Sequence, residues 1–175
     1  MKGLILIILT CLTLMACTHG ASKKLDDENQ ETEVEQTVSQ GEALLNMLNA
    51  NNQSLLVLNN DSLSFYNGRG VSDLLQLLSE DADCLNGAIV ADKMVGKAAA
   101  TLMVAAKVRE VHTNLICTPA IEVFQAAGIP VFFTEEVPQI LNKDRSGQCP
   151  IDALLNEAES VEECVAILNK KIKIK

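Results

Sequence analysis

The sequence has 175 residues, which is enough for one ordinary domain with a tail but not for two full domains. Hydrophobic residues make up 48% of it, so a core can form, whereas aromatic residues make up only 3% and tryptophan is absent. Few aromatic side chains argue against base-stacking surfaces for single-stranded nucleic acid. A net charge of −9 argues against a broad basic surface for any polyanion. We therefore expect no nucleic-acid partner.

Residues 1–16 have the layout of a secretory signal peptide. Lys2 precedes an apolar stretch, Leu4 to Met15, that is shorter than the roughly 20 residues of a membrane span. The stretch ends in Leu-Met-Ala-Cys at residues 14–17, which resembles the bacterial lipoprotein box, although the residue at Met15 is usually smaller. The resemblance implies cleavage before Cys17 and its modification by acyl chains such as palmitate. An ordinary cleaved signal with an incidental cysteine, or a retained N-terminal helix, is the alternative.

The predicted lipid anchor sets the expected location and partners. Acyl chains on Cys17 contribute about 0.8 kcal/mol for each buried CH₂ group, so several chains would hold the protein at a lipid bilayer. We expect a protein of the bacterial cell envelope, on the periplasmic or surface side. Residues 17–40, with a net charge of −4 and hardly any large apolar side chain, are predicted to form a flexible acidic tether. Residues 41–175, with a net charge of −6, form the domain.

Hydrophobic periodicity predicts alternating helices and strands in this domain. Helical spacing occurs at 42–49, 71–78, 95–107 and 119–127, and strand-forming runs occur at 54–58, 63–66, 88–91, 110–116 and 131–133. The polar turn at 59–62 predicts a hairpin of the first two strands. After an extended stretch, the capping-box spacing at 160–163 opens a last helix. This order predicts an α/β fold with a mixed, mostly parallel sheet covered on both faces.

The first candidate site follows the strand at 88–91. Ligands of such sheets bind beyond the carboxyl ends of the parallel strands. Here the strand leads directly into Asp92, Lys93 and Lys97. The two lysines are predicted to share one face of a helix N-terminus, where cations oppose the macrodipole. Because function is expected where a local rule is broken, all three are candidate catalytic residues. In the alternative, Asp92 caps the helix and both lysines reach water.

Two further segments are rich in polar and flexible residues. Gly68, Arg69 and Gly70 precede a helix, where backbone N–H groups and a guanidinium can hold an anion, although a plain turn explains them equally well. The irregular stretch 142–150 adds Asp144 and Cys149 as candidate catalytic residues. Cys149 has cations nearby in sequence that could activate it as a nucleophile, but a structural thiol is the alternative.

These motifs together resemble a known family. The segment 91–100, the turn at 67–70, Asn-Lys-Asp at 142–144 and Cys-Pro at 149–150 are similar to a bacterial and archaeal family defined as a domain of unknown function. That family is assigned to the cytidine-deaminase-like fold, and the resemblance covers residues 52–169. It implies a three-layer α/β/α sandwich with a five-stranded mixed sheet.

The same resemblance argues against a zinc deaminase. Such enzymes need a His or Cys followed two residues later by Glu at one helix start, and Pro-Cys-x-x-Cys at the next. Residues 92–97 supply neither ligand nor Glu, and residues 117–122 supply one Cys before the Pro and none after it. His112 is predicted to lie in mid-strand as a structural residue. We therefore expect no metal and no cofactor.

Two classes of function remain open from the sequence. The first is a domain that keeps a deaminase-like cleft without its metal and binds a small anionic or nucleoside-like ligand. The second is a metal-independent enzyme with Asp92 or Asp144 as acid/base, and Lys93 or Lys97 holding an anionic substrate. The two differ in whether these side chains and Cys149 converge on one cleft.

Overall fold

A computed structural model describes residues 39–172, and in it helices pack on both faces of a single five-stranded sheet. The strands are β1 (Leu55–Asn59), β2 (Ser62–Tyr66), β3 (Ile89–Val95), β4 (Glu110–Cys117) and β5 (Val131–Val137). The helices are α1 (Gln40–Ala50), α2 (Ser72–Glu80), α3 (Ala82–Leu85), α4 (Lys97–Ala105), α5 (Thr118–Ala127), α6 (Pro150–Ala153) and α7 (Val161–Lys171). The short helices α3 and α6 were not predicted, because four residues show no helical period.

The sheet has the order β2-β1-β3-β4-β5. β1 runs antiparallel to both β2 and β3, whereas β3, β4 and β5 are parallel. The predicted hairpin forms with Asn59 opposite Ser62, and Asn60 in its turn has φ of 51°. The predicted α/β class with a five-stranded mixed sheet is confirmed. Because β3, β4 and β5 are parallel, their carboxyl ends lie at the same edge.

The segment between β3 and α4 differs from the prediction. β3 continues to Val95, which pairs with Ile116 of β4, and α4 begins only at Lys97. Asp92 and Lys93 are therefore strand residues, and the prediction that Lys93 and Lys97 share a helical face is wrong. Pairing with β4 extends the strand past the sequence at which helical periodicity begins, so tertiary contacts override the local pattern.

The helices complete two layers around the sheet. On one face, Leu44 and Leu48 of α1 pack against Leu56, Ile89 and Ala91. A Cβ at Gly41 would overlap the ring of buried His112, so glycine lets α1 approach the sheet closely there. The other face carries the main core, which the helices after β2 cover. This arrangement is the expected three-layer sandwich.

His112 is a structural residue, as its position in the sequence suggested. Its Nε2 lies 3.1 Å from Oε1 of Glu110, and its ring stacks on Phe132 with the centroids 4.7 Å apart. Both contacts lie on the face that α1 covers only in part, away from the carboxyl ends of the strands.

The predicted signal peptide, Cys17 and most of the tether lie outside the described residues. From Ser39 to Ile172, no helix combines the length and the apolar character needed to cross a membrane.

Candidate functional site

The largest candidate site is a cavity of about 690 Å³ at the carboxyl ends of β3, β4 and β5. We call it the edge cleft. Its apolar wall is formed by Met94, Leu115, Val137 and Ile140, and the segment 138–145 covers it from the other side. Glu135, Lys143 and Arg145 are the charged residues that line it. The position matches the general rule for ligand sites in parallel sheets.

The sheet register explains the wall of the edge cleft. Met94 pairs with Leu115, and Leu115 pairs with Glu135, so the three residues form one row across β3, β4 and β5. Neighbours in register across strands project from the same face of a sheet. The row therefore gives the cleft two apolar side chains followed by one carboxylate.

The loop between β5 and α6 is held by bonds within itself. Leu141 forms an isolated antiparallel bridge with Gln148. Asn142 donates its backbone N–H to Gly147 O at 2.9 Å and accepts the N–H of Gly147 on Oδ1 at 3.2 Å. The hydroxyl of Ser146 donates to Asp144 Oδ1 at 2.9 Å, so the Asp144 carboxylate forms a hydrogen bond within the loop. The loop's own hydrogen bonds thus hold its conformation.

Two cations of this loop line the edge cleft. Arg145 has φ of 60°, a left-handed conformation that is uncommon for a residue with a side chain. Such strain is found preferentially at binding sites. Within residues 39–172, neither Lys143 nor Arg145 takes part in an ion pair or a side-chain hydrogen bond. Both are therefore available to an anionic group in the cleft.

A second, small cavity of about 100 Å³ adjoins the edge cleft and shares Met94 and Ile140 with it. It brings together Asp92 and Cys149, two of the candidate catalytic residues, with Gly70 of the turn at 67–70. The Asp92 and Cys149 side chains are therefore the only pair of the five candidate catalytic residues that meet in one of the described cavities.

The carboxyl group of Asp92 has a raised pKa in this position. Burial raises its pKa from the ordinary 3.8 to about 7, and the negative charge of Asp73 adds to the rise. The backbone N–H of Met94, which donates to Asp92 Oδ1 at 2.9 Å, acts in the opposite direction. A carboxyl group with a pKa near neutrality can both give and accept a proton at physiological pH.

Sequence reasoning missed Asp152, which lines the small cavity and a third cavity of about 240 Å³ beside it. It is 5% exposed, and its Oδ1 accepts the N–H of Ala98 at 3.0 Å. Burial raises its pKa, and the N–H groups of Ala98 and Lys97 counteract that rise. Asp152 lies on α6, whose four residues gave no helical pattern, so no sequence signal pointed to it.

The two candidate lysines point away from each other. Lys97 donates its Nζ to the backbone oxygens of Leu155, at 2.6 Å, and Ala158, at 3.3 Å. Lys93 donates its Nζ to Asn52 Oδ1 at 2.7 Å, beside β1. Each lysine therefore already has protein acceptors, and neither lines the edge cleft.

The turn at 67–70 is also held by protein groups. Gly68 donates its backbone N–H to Oδ2 of Asp73 at 2.6 Å. Gly70 has φ of 61° and lines the small cavity, whereas Arg69 is exposed. The N–H of Gly68 is thus engaged by Asp73, which leaves Gly70 as the member of this segment nearest to the candidate site.

The third cavity lies where α4 and α5 begin, beside the two segments whose sequences lack the zinc-deaminase motifs. Cys117 is 1% exposed there, and burial raises the pKa of its thiol. The described part of the chain contains no group of three His, Cys, Asp or Glu side chains arranged to hold a metal ion. Cys117, Asp152 and Glu122 line this cavity but are not arranged as one ligand group, so they do not fit a zinc centre, which needs three protein ligands or more.

The fold and the site together define a small α/β domain with a ligand-sized cleft at the carboxyl edge of its sheet. The sequence profile of the family described as a domain of unknown function, DUF1893, matches residues 43–172, and the chain belongs to this family. The predicted family resemblance is thereby confirmed. Among curated proteins, none is significantly similar to the chain.

Solved structures include a related fold. The crystal structure of a DUF1893 family protein, TM1506 from Thermotoga maritima, is 29% identical, covers 74% of this chain and 88% of its own, and gives a TM-score of 0.68. A structure of RibD from Acinetobacter baumannii is 18% identical over 47% of this chain and 28% of its own, with a TM-score of 0.38.

Proposed function

We propose that this protein is a membrane-tethered binding protein that holds a small anionic or nucleoside-like ligand in the edge cleft. The observation that carries the proposal is the pair Lys143 and Arg145, two cations that line the same cavity beside an apolar wall and form no ion pair within residues 39–172. The domain is acidic overall, with 17 acidic and 11 basic side chains, so two cations that line one cavity stand out against its net charge. Two cations at one cavity of an acidic domain favour an anionic occupant.

The dimensions and the chemistry of the cleft support the same conclusion. Ligand pockets usually measure roughly 300 to 1,000 Å³, and the edge cleft falls inside that range at about 690 Å³. Its apolar wall can cover the body of a ligand, while the planar guanidinium of Arg145 is suited to a carboxylate or phosphate. An ordered loop reduces the entropy lost on binding.

The proposal is tested by ligand-induced thermal shifts. Wild type and the double variant Lys143→Gln, Arg145→Gln would be screened with nucleoside monophosphates and small carboxylates. Both substitutions remove the positive charge and leave a polar side chain. Lys170→Gln, at the exposed end of α7, makes the same change away from the cleft and is the matched control. A ligand at about 100 times its Kd stabilises the fold by about 2.7 kcal/mol. We expect this shift in wild type and in the control but not in the double variant.

Two results of the thermal-shift screen would contradict the proposal. If no anion shifts the melting temperature, or if a shift persists unchanged in the double variant, the edge cleft is not an anion site.

The membrane tether is supported by the sequence at residues 14–17 and tested separately. Wild type should partition with the membrane fraction and incorporate labelled palmitate. Cys17→Ser should do neither. If Cys17→Ser stays with the membrane, a retained N-terminal helix is the better explanation, and if wild type is released without lipid, the signal is an ordinary one.

A metal-independent enzyme is the second candidate, and Asp92 is the observation that favours it. Its carboxyl, with a pKa of about 7, lies in the small cavity that shares a wall with the edge cleft. General acid/base catalysis by such a group is worth roughly 10² to 10⁴ in rate. Once a ligand is identified, Asp92→Asn should bind it as wild type does but lose at least about a hundredfold in turnover. Absence of any conversion by wild type would leave binding as the function.

A further inference from the structure

The charges of the edge cleft have both signs. Glu135 lines it from β5, and Lys143 and Arg145 line it from the loop. These opposite charges do not neutralise one another, since the described residues 39–172 contain no ion pair between them. An apolar wall and unpaired charges of both signs therefore belong to one cavity.

Glu135 is directed to the cleft by the sheet itself. It continues the row of Met94 and Leu115, and the second residue along β5, Val137, lines the same cleft. The neighbouring carboxylate behaves differently. Glu136 accepts a hydrogen bond from the Thr118 hydroxyl at 2.7 Å, whereas Glu135 has no hydrogen-bond or ion-pair partner among the residues that the structure describes. Of two consecutive glutamates, one is used by the fold and the other is free at the cavity.

We propose that the edge cleft selects amphoteric ligands, which carry a carboxylate or phosphate for Lys143 and Arg145 and a nitrogen-centred donor for Glu135, joined by an apolar body. The inference rests on the proposed function and adds Glu135 as the residue that determines specificity. A ligand with the anionic group alone would leave the Glu135 carboxylate unpaired and partly desolvated. A binding site discriminates more strongly against a ligand that lacks a charged hydrogen-bond partner than against one that lacks some apolar area.

The test compares two probes that differ in one group. 4-(Aminomethyl)benzoate has both charges, and 4-methylbenzoate has the same ring and carboxylate without the ammonium. Their affinities for the full chain would be measured by NMR titration, which detects binding at millimolar Kd. We expect wild type to bind 4-(aminomethyl)benzoate about threefold to fivefold more tightly, as an ion pair with an exposed carboxylate provides.

Variants assign the preference to one carboxylate. Glu135→Gln should bring the two affinities to within about twofold of each other while 4-methylbenzoate binds at least as well as before. Glu136→Gln, next in the strand but bonded to Thr118, should keep the wild-type preference.

The outcomes separate this inference from the function on which it rests. Equal affinities in wild type, or a preference that survives in Glu135→Gln, would overturn the role of Glu135 while leaving the anion site intact. If neither benzoate binds, the inference fails while the anion site is judged by the thermal-shift screen. If Lys143→Gln with Arg145→Gln leaves both affinities unchanged, the anion site fails and the inference fails with it.

Discussion

Asp152 caps helix α4 through Ala98, whose backbone N–H lies 3.0 Å from the Asp152 Oδ1. The cap comes from α6, far along the chain, because the N-cap residue of α4 is Gly96, which has no side chain to offer. Helix starts leave four N–H groups without intrahelical partners, and a carboxylate there also complements the macrodipole. The bond therefore ties the C-terminal third of the domain to the edge of the sheet where the candidate site lies.

Removal of this cap should destabilise the fold. Asp152→Ala is expected to lower the free energy of unfolding by about 1 to 2 kcal/mol, as loss of a helix cap does. Asp152→Asn keeps an acceptor for Ala98 and should lose less. Urea denaturation at pH 7 measures both, with Asp144→Ala as the exposed control, which should stay within about 0.5 kcal/mol of wild type. Equal effects of Asp152→Ala and Asp144→Ala would show that the cap contributes nothing.

Gly96 is required by the same contact. A Cβ at this position would overlap the Asp152 carboxylate, so Gly96→Ala should force the two apart. We expect a loss of about 1 to 3 kcal/mol in the wild-type background, the usual range for overpacking. In the Asp152→Ala background most of that loss should vanish, because the clashing group is gone. A double-mutant cycle by urea denaturation measures the coupling, and strictly additive losses would contradict it.

Lys97 should stabilise the fold and leave ligand binding unaffected. Its Nζ donates to the carbonyls of Leu155 and Ala158, and hydrogen bonds of charged donors contribute about 1.5 to 3 kcal/mol in total at such sites. Lys97→Met is therefore expected to lower the melting temperature clearly more than Lys93→Met, whose exposed bond goes to Asn52. Neither variant should weaken an anion that binds the edge cleft. A Lys97→Met protein as stable as wild type would contradict this role.

The sheet was predictable because its strands carry apolar runs bounded by turn residues. The hairpin around Asn60 and the αL residue Gly128, with φ of 68°, at the end of α5 follow from local conformational preferences. The start of α4 was not predictable locally, because pairing of Val95 with Ile116 decides it.

The candidate site was harder to predict than the fold. The sequence indicated the carboxyl edge of the sheet, and Asp92 and Cys149 do line one cavity there. It gave no signal for Asp152, whose importance depends on the position of a four-residue helix. Nor did it show that Lys97 would donate to the backbone carbonyls of Leu155 and Ala158, because backbone carbonyls of a distant segment leave no recognisable pattern in the sequence.

Asp92 should make the stability of the fold depend on pH. Its pKa is raised from 3.8 to about 7, so between these values the folded protein holds more protons than the unfolded chain. The free energy of unfolding therefore falls as pH rises through that range, by at most about 1.4 kcal/mol per pH unit for this group, and levels off above pH 7. Asp92→Asn lacks this contribution while its side-chain oxygen can still accept the N–H of Met94. We expect the difference in unfolding free energy, wild type minus Asp92→Asn, to fall between about pH 4 and pH 7, as measured by urea denaturation in matched buffers. The free energy of unfolding of the exposed control Asp144→Asn should change with pH in parallel with that of wild type. A difference between wild type and Asp92→Asn that stays constant with pH would show that this carboxyl titrates at its ordinary pKa.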